Sequence, residues 1–208
     1  MSKAFLSATK FEVGINKAAL LKSITAGSNG KITGRQVRNY ILPVMEEAQR
    51  KLIKDFHNHS ITKEINSGVS GSNSSGTLGG YGNLFSFIGF ENGDNPMVAV
   101  DNLLKEKLVV RVRSVGNGRF KISILNAPSK EEIYRLTPLP WADGASWAEG
   151  MEKGISNLGS FLYTKKPSAN SRSGRGLQLN KQLRGSSFRT TPYVSKIMDE
   201  FLKGIINF

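Results

Sequence analysis

An amphipathic pattern between Gln36 and Phe56 constrains the fold of this chain more than any other feature of its sequence. Apolar residues recur there every three or four positions, and charged residues fill most positions between them. This period is that of an α-helix with one buried face. The candidates for that face are Val37, Ile41, Val44 or Met45, Ala48, Leu52 and Phe56. Because Pro43 lacks an amide donor and disfavours helix at the preceding residue, we predict one long helix with a kink there.

Two later segments alternate between apolar and polar residues, which is typical of β-strands. They span 108–115 and 119–126, and the Asn117-Gly118 pair between them favours a hairpin turn. One face of the hairpin is basic, with Arg111 and Arg113 on its first strand. The residues predicted to point inward are Val110, Val112, Ile122 and Ile124.

The remaining patterns complete an α+β fold. Strands are predicted over 84–90 and 132–136, and helices over 16–24, 97–107, 145–160 and 192–206. We therefore expect a long N-terminal amphipathic helix packed on a small antiparallel sheet, followed by a C-terminal helix. The predicted organisation is an N-terminal arm with a short helix at 1–32 and a single α+β domain at 33–208.

Two long polar segments interrupt this domain. The first, at about 66–83, is rich in Gly and Ser, and the second, at about 165–187, is rich in Ser, Gly and basic residues. Both contain too little apolar surface to offset the entropy lost on ordering. We predict flexible insertions that order mainly against adjacent subunits.

The charge of the chain is strongly positive and unevenly distributed. Lys and Arg total 29 against 16 Asp and Glu, a net charge of +13, and residues 165–196 supply eight basic side chains and no acidic one. Such a run favours an anionic partner, either nucleic acid or an acidic protein surface, and it is equally typical of a solvated loop. The candidate anion-facing or inter-subunit residues are Lys165, Lys166, Arg172, Arg175, Lys181, Arg184 and Arg189.

The motifs of common enzymes and cofactor sites are missing. The chain has no Cys, and Gly27-SNG-Lys31 departs from a phosphate-binding loop at its first Gly and after its Lys. His57 and His59 would need Asp55 or Glu64 to complete a metal site, so two helix-end histidines are the more common interpretation. No run approaches about 18 apolar residues, and no membrane partner is predicted. We predict no enzymatic activity and no cofactor.

The layout as a whole resembles the neck and tail-completion proteins of tailed bacteriophages. The long helix is followed by a Gly/Ser-containing stretch that leads into an apolar segment, here 74–90 (SSGTLGGYGNLFSFIGF). An aromatic, glutamate and glycine segment follows at 147–154 (WAEGMEKG). The chain then has a basic stretch, an aromatic–Pro motif and a terminal helix, at 188–201 (FRTTPYVSKIMDEF).

This resemblance implies a structural protein of the virion. Such a chain would be assembled in the bacterial cytoplasm and would form a six- or twelve-fold ring in the neck, around the DNA channel. Its partners would be the portal or connector, the tail terminator, and tube or sheath proteins. Trp141, Trp147 and Tyr193 are candidate anchors for a partner or subunit, although core packing explains the tryptophans equally well. A free-standing nucleic-acid-binding protein acting through 165–196 is the alternative, and a phage nuclease is a third reading.

Overall fold

The structure, a computed structural model, describes residues 11–12, 33–78, 82–116, 119–140, 142–154 and 189–206. It belongs to the α+β class, as the sequence predicts. Its contacts divide the chain into two compact units. Unit 1 comprises Met1–Ile53, Leu104–Ser129 and Met198–Phe208, and unit 2 comprises Lys54–Leu103 and Lys130–Ile197. Each unit is therefore assembled from stretches that are far apart in sequence.

The helices and strands follow one another with short connections over most of the described chain. The helices are α1 (Gly34–Asn58), α2 (Ser60–Asn66), α3 (Leu84–Ile88), α4 (Val98–Lys105), α5 (Lys130–Arg135), α6 (Trp147–Lys153) and α7 (Val194–Ile206), with a 3₁₀ turn at Gly68–Ser70. The strands are β1 (Phe11–Glu12), β2 (Val109–Gly116), β3 (Arg119–Leu125), β4 (Pro138–Leu139) and β5 (Ala142–Ser146). None of the described helices is long and apolar enough to cross a bilayer.

Helix α1 is the long amphipathic helix that the sequence predicts, and it continues through Pro43. Its N-terminus has a capping box, in which the Gln36 amide donates to the Thr33 hydroxyl at 3.4 Å and the Thr33 amide donates to the Gln36 side-chain oxygen at 2.9 Å. This pair satisfies two backbone donors where the helix begins. The buried face consists of Val37, Ile41, Met45, Leu52 and Phe56.

Unit 1 contains a three-stranded antiparallel sheet of order β1-β3-β2. In the predicted hairpin, Val110 lies opposite Ile124 and Val112 lies opposite Ile122. Val110, Ile122 and Ile124 are buried, which confirms the predicted register, while Val112 is only partly buried. The predicted N-terminal arm contributes β1, whose Phe11 lies opposite Ile124.

Side-chain contacts fix α1 within unit 1. The Gln49 side-chain amide donates to the carbonyl oxygens of Leu104 and Glu106, at 2.9 and 2.6 Å. Lys51 lies 3.5 Å from a carboxylate oxygen of Glu200 on α7. The Gln49 bonds matter most, because they satisfy carbonyls at the end of α4 that the helix itself leaves unpaired.

The segment 84–90 is the first clear difference from the sequence prediction. A strand is predicted there because phenylalanines alternate, and this prediction is wrong, since the segment forms α3. The Asn83 side chain accepts the Ser86 amide at 2.8 Å and caps the helix, and Gly89 ends it with a φ of 96°. The residues that α3 buries are Leu84, Phe85 and Ile88, a helical spacing.

Two further elements differ in the second half of the chain. The extended piece predicted at 132–136 is wrong, since helix α5 lies there with Glu131 and Glu132 in its first turn, where carboxylates favour helix formation. The helix predicted over 145–160 begins only at Trp147, after strand β5, and ends before Gly154, which has a φ of 84°. Residues 155–160 lie outside the described residues.

The Gly/Ser-rich segment is tied to its own chain through the carboxylate of Glu64. This side chain is 0% exposed, and its two oxygens accept the Ser75 amide at 2.8 Å, the Leu84 amide at 2.7 Å and the Asn73 side-chain amide at 2.9 and 3.2 Å. Composition predicts that 66–83 orders mainly against adjacent subunits. For residues 67–78 the structure also provides partners within the chain, because a buried carboxylate supplies acceptors for the polar segment.

Several predicted features fall outside the described residues. They are the short helix at 16–24, the Asn117-Gly118 turn, Trp141 and the basic insertion at about 165–187. Nothing in the structure bears on their conformation.

We expect the substitution Ile122→Ala to lower the free energy of unfolding by about 2–5 kcal/mol, because Ile122 is 2% exposed in the core of unit 1. Val115→Ala, at a position that is 57% exposed on the same hairpin, is the control and should cost less than about 0.5 kcal/mol. Urea denaturation of both variants measures the difference. A loss below about 0.5 kcal/mol for Ile122→Ala would contradict the register.

Candidate anion-binding site

A basic cleft lies in unit 1, between the start of α1 and the strands β2 and β3. It encloses about 820 Å³. We define the basic cleft by its five cationic lining residues, Arg35, Arg38, Arg111, Arg113 and Lys121. The other lining residues are Gly34, Val110, Val112, Ser123 and Leu125, so no described acidic residue lines it.

Local structure explains how these cations come together. Arg35 and Arg38 are three residues apart on α1 and therefore occupy the same side of the helix. Arg111 and Arg113 are two residues apart on β2 and share one face of the sheet. The strand order leaves β2 at the edge of the sheet, and a Cβ atom on Gly34 would lie 3.8 Å from Val112 Cγ1. The first turn of α1 thus lies beside this edge strand.

The electrostatics of the basic cleft favour an anion. Among the described residues, Arg35, Arg38, Arg111 and Arg113 form no ion pair with a carboxylate. Arg113 lies directly opposite Lys121 in the hairpin, and like charges at such a pair are destabilising. The N-terminus of α1, which borders the basic cleft, adds partial positive charge there. Arginine forks bind carboxylate or phosphate oxygens with charge-assisted hydrogen bonds, so this arrangement is suited to either group.

The sequence predicts some of the residues of this site, but it does not predict that they lie together. The alternation of apolar and basic residues on β2 correctly predicts a basic face, on which Arg111 and Arg113 are exposed. No local pattern could join them to Arg35 and Arg38, since that contact depends on how α1 packs. Among the candidates from the basic run, only Arg189 lies in the described chain, where it is exposed and its amide donates to the Thr77 carbonyl at 2.9 Å. The others are Lys165, Lys166, Arg172, Arg175, Lys181 and Arg184, which lie outside the described residues.

Two of the three aromatic anchor candidates, Trp147 and Tyr193, prove to be core residues. Trp147 is 1% exposed and Tyr193 is 0% exposed, and their rings stack with centroids 6.2 Å apart. Tyr193 also stacks on Phe56 at 6.1 Å, and its hydroxyl lies 2.7 Å from the Thr62 hydroxyl. Neither aromatic is available on the surface, so the assignment of Trp147 and Tyr193 as partner anchors is corrected. Burial raises the pKa of the Tyr193 hydroxyl.

The carboxylate of Glu152 is the second ionisable group that organises unit 2. It accepts the amides of Tyr193 and Ser195, at 2.9 and 2.7 Å, and the Tyr134 hydroxyl at 2.6 Å. Burial by itself would raise the pKa of Glu152, but these hydrogen bonds outweigh it and lower the pKa overall. Because the Tyr193 amide directly precedes α7 and the Ser195 amide lies in its first turn, the carboxylate also caps that helix.

The two histidines take separate structural partners. His57 Nε2 lies 2.8 Å from an Asp101 oxygen. His59 Nδ1 accepts the Ile61 amide at 3.3 Å and caps α2, while its Nε2 lies 3.2 Å from the Pro192 carbonyl. Within the described ranges, no group of three or more His, Asp or Glu side chains could hold a metal ion.

Comparison with known proteins gave no match. No family model, no curated protein and no solved structure matches this chain. The interpretation of function therefore depends on the residues and the geometry described above.

The hydrogen bonds of His59 predict a pH dependence of stability. Burial lowers the pKa of His59 below 6.5, opposed by its hydrogen bond to Pro192. Since the unfolded chain takes up this proton first, we expect the free energy of unfolding contributed by His59 to be complete above pH 6.5 and to fall below it. Protonation would also remove the acceptor that caps α2.

Denaturation between pH 5 and 8 measures this effect, with His59→Asn as the matched variant. Asn caps a helix but does not titrate in this range, so the decline below about pH 6.5 should become smaller in that variant. His57 is present in both proteins and cancels in the comparison. Identical pH profiles for the two proteins would contradict the prediction.

Proposed function

We propose that this chain is a structural protein of a tailed-phage virion, which forms a ring in the neck and joins or completes the tail at the head connector. In this proposal the ring surrounds the DNA channel, and the chain acts by assembly and not by catalysis. Its partners are further copies of itself and the neighbouring portal, terminator, tube or sheath proteins.

One observation carries most of the support. Two of the segments that carry the resemblance, 147–154 and residues 189–197 of 188–201, contact each other directly in unit 2. Glu152 from the first segment accepts the Tyr193 and Ser195 amides of the second. The Thr191 amide also donates to the Met151 carbonyl at 2.9 Å, and Trp147 stacks on Tyr193. The two segments are separate in the sequence and in the resemblance, and these contacts join them at the start of α7.

The arrangement of unit 1 also supports a neck-type scaffold. Its elements are a long N-terminal helix, a small antiparallel sheet and the end of the C-terminal helix, in the order that the resemblance implies. Gln49 and Lys51 fix α1 to its neighbours within that unit.

The hydrogen bonds of the ionisable side chains also favour a structural role over a catalytic one. Glu64, Glu152 and His59 are the buried or half-buried groups with the most hydrogen bonds, and each one caps or fastens backbone. A general acid or base needs a proton-transfer partner within reach of substrate. In unit 2 these groups already have backbone partners.

The positive charge of the chain gives this scaffold a means of joining other components. The eight basic and no acidic side chains at 165–196 are suited to acidic faces of neighbouring ring proteins. A channel through which DNA slides should not hold phosphates tightly, so a protein partner is the better match for this run in a neck.

Charge reversal tests the proposal in the phage. We expect Arg172→Glu, Arg175→Glu and Arg184→Glu together to give DNA-filled heads and complete tails that fail to join, because attraction becomes repulsion at the joint. Electron microscopy and an infectivity assay of the mutant lysate measure this. The control combines Lys63→Glu, Lys130→Glu and Arg135→Glu, which reverse the same charge at exposed positions elsewhere.

The outcomes separate the alternatives. Absence of the chain from purified virions would contradict the proposal outright. Normal joining with altered DNA retention or ejection would place the basic run in the channel and would contradict its role at the joint. If joining and DNA handling were both normal, the basic run would be a solvated loop and would no longer support the proposed function.

A further inference from the structure

We propose that the basic cleft binds the sugar-phosphate backbone of double-stranded DNA without reading its base sequence. This inference goes beyond the proposed function, because it concerns the described residues of unit 1 and would hold for the chain inside or outside a virion. It also differs from the role given above to the basic run at 165–196.

The first support is the chemistry of the lining. Four of the five cations are arginines, whose planar forks form paired hydrogen bonds with phosphate oxygens. Arg111 and Arg113 are separated by two residues of a strand, about 6.8 Å. The two arginines are therefore close enough for their long side chains to contact neighbouring phosphates of one DNA strand, which advance about 3.4 Å per nucleotide along the helix axis.

The second support is that the four arginines of the basic cleft form no ion pair with a carboxylate among the described residues. No described acidic residue lines the basic cleft either. An external polyanion can therefore neutralise these arginines, and the release of its counterions favours binding.

DNA matches the surface better than an acidic protein does. Protein partners are often anchored by aromatic side chains in pockets, and no aromatic residue of the described chain lines the basic cleft. Among the described residues the large hydrophobic side chains that are exposed are Val69, Val98, Val115 and Leu136, without an aromatic.

The lining further selects among nucleic acids. Single strands are usually held by bases that stack on aromatic side chains, and the described lining of the basic cleft has none. The polar residues of that described lining are the five cations and Ser123, without the Asn or Gln side chains that read adenine. The expected mode is contact with the phosphates of a duplex, which fixes position and carries no sequence information.

The test is fluorescence anisotropy with the full chain and two 30-base-pair duplexes of unrelated sequence, titrated at several salt concentrations. We expect equal affinity for both duplexes. Arg111→Gln with Arg113→Gln should weaken binding at least tenfold at low salt and reduce the slope of log K against log salt by about 1.8, or 0.9 for each lost phosphate contact. Arg35→Gln with Arg38→Gln, on a different element, should act in the same direction.

The matched control is Lys63→Gln with Arg135→Gln, which removes the same charge from exposed positions of unit 2. It should leave affinity and slope close to those of the unsubstituted chain. Arg113→Glu separates binding from folding, since it places opposite charges at the pair with Lys121 and should keep or raise the melting temperature while weakening binding.

Three results would overturn the proposal. One is unchanged affinity and slope in either pair of cleft variants. Another is an equal loss in the Lys63 and Arg135 control, which would show a response to net charge alone. The third is binding of poly-L-glutamate that depends on the cleft arginines in a chain that does not bind duplex DNA, which would assign the basic cleft to an acidic protein.

Discussion

A buried carboxylate without a cation must be satisfied by hydrogen bonds, and in this chain that constraint falls on Glu64. Its oxygens accept the amides of Ser75 and Leu84 and the Asn73 side chain, all within unit 2. These bonds hold a polar segment that has almost no apolar surface of its own, and they place the N-terminus of α3. Leaving such an acceptor unpaired would cost about 1–3 kcal/mol or more, so the segment and the carboxylate depend on each other.

Glu152 is a second carboxylate whose oxygens are satisfied by hydrogen bonds within unit 2. It fastens the start of α7 to α6, so that Gly154 and Arg189, at the two ends of the interval 155–188, both belong to well-connected parts of unit 2. The carboxylates of Glu64 and Glu152 thus order the segments that they contact in unit 2. Most of the charge outside these contacts is positive and exposed. In unit 1 that charge forms the basic cleft. A scaffold of this kind is suited to assembly with anionic partners.

The sequence predicts the elements whose pattern is both long and local. Helix α1, the β2–β3 hairpin and α7 follow from periodicity alone. It fails at α3, where LFSFI satisfies strand and helix spacing alike and the deciding contributions come from Asn83 and from the Glu64 bond to Leu84. Burial of Trp147 and Tyr193 and the grouping of Arg35 with Arg111 depend on tertiary contacts, which composition and period do not contain.

The central claim is that the Gly/Ser-rich segment is ordered by its own chain. Hydrogen exchange of the isolated protein tests it most directly, at the amides of Ser75 and Leu84. We predict slow exchange in the unsubstituted chain and fast exchange in Glu64→Gln, whose side-chain amide replaces an acceptor by a donor. Exchange at Ser75 and Leu84 as fast as in an unstructured peptide, in the unsubstituted protein, would contradict the account.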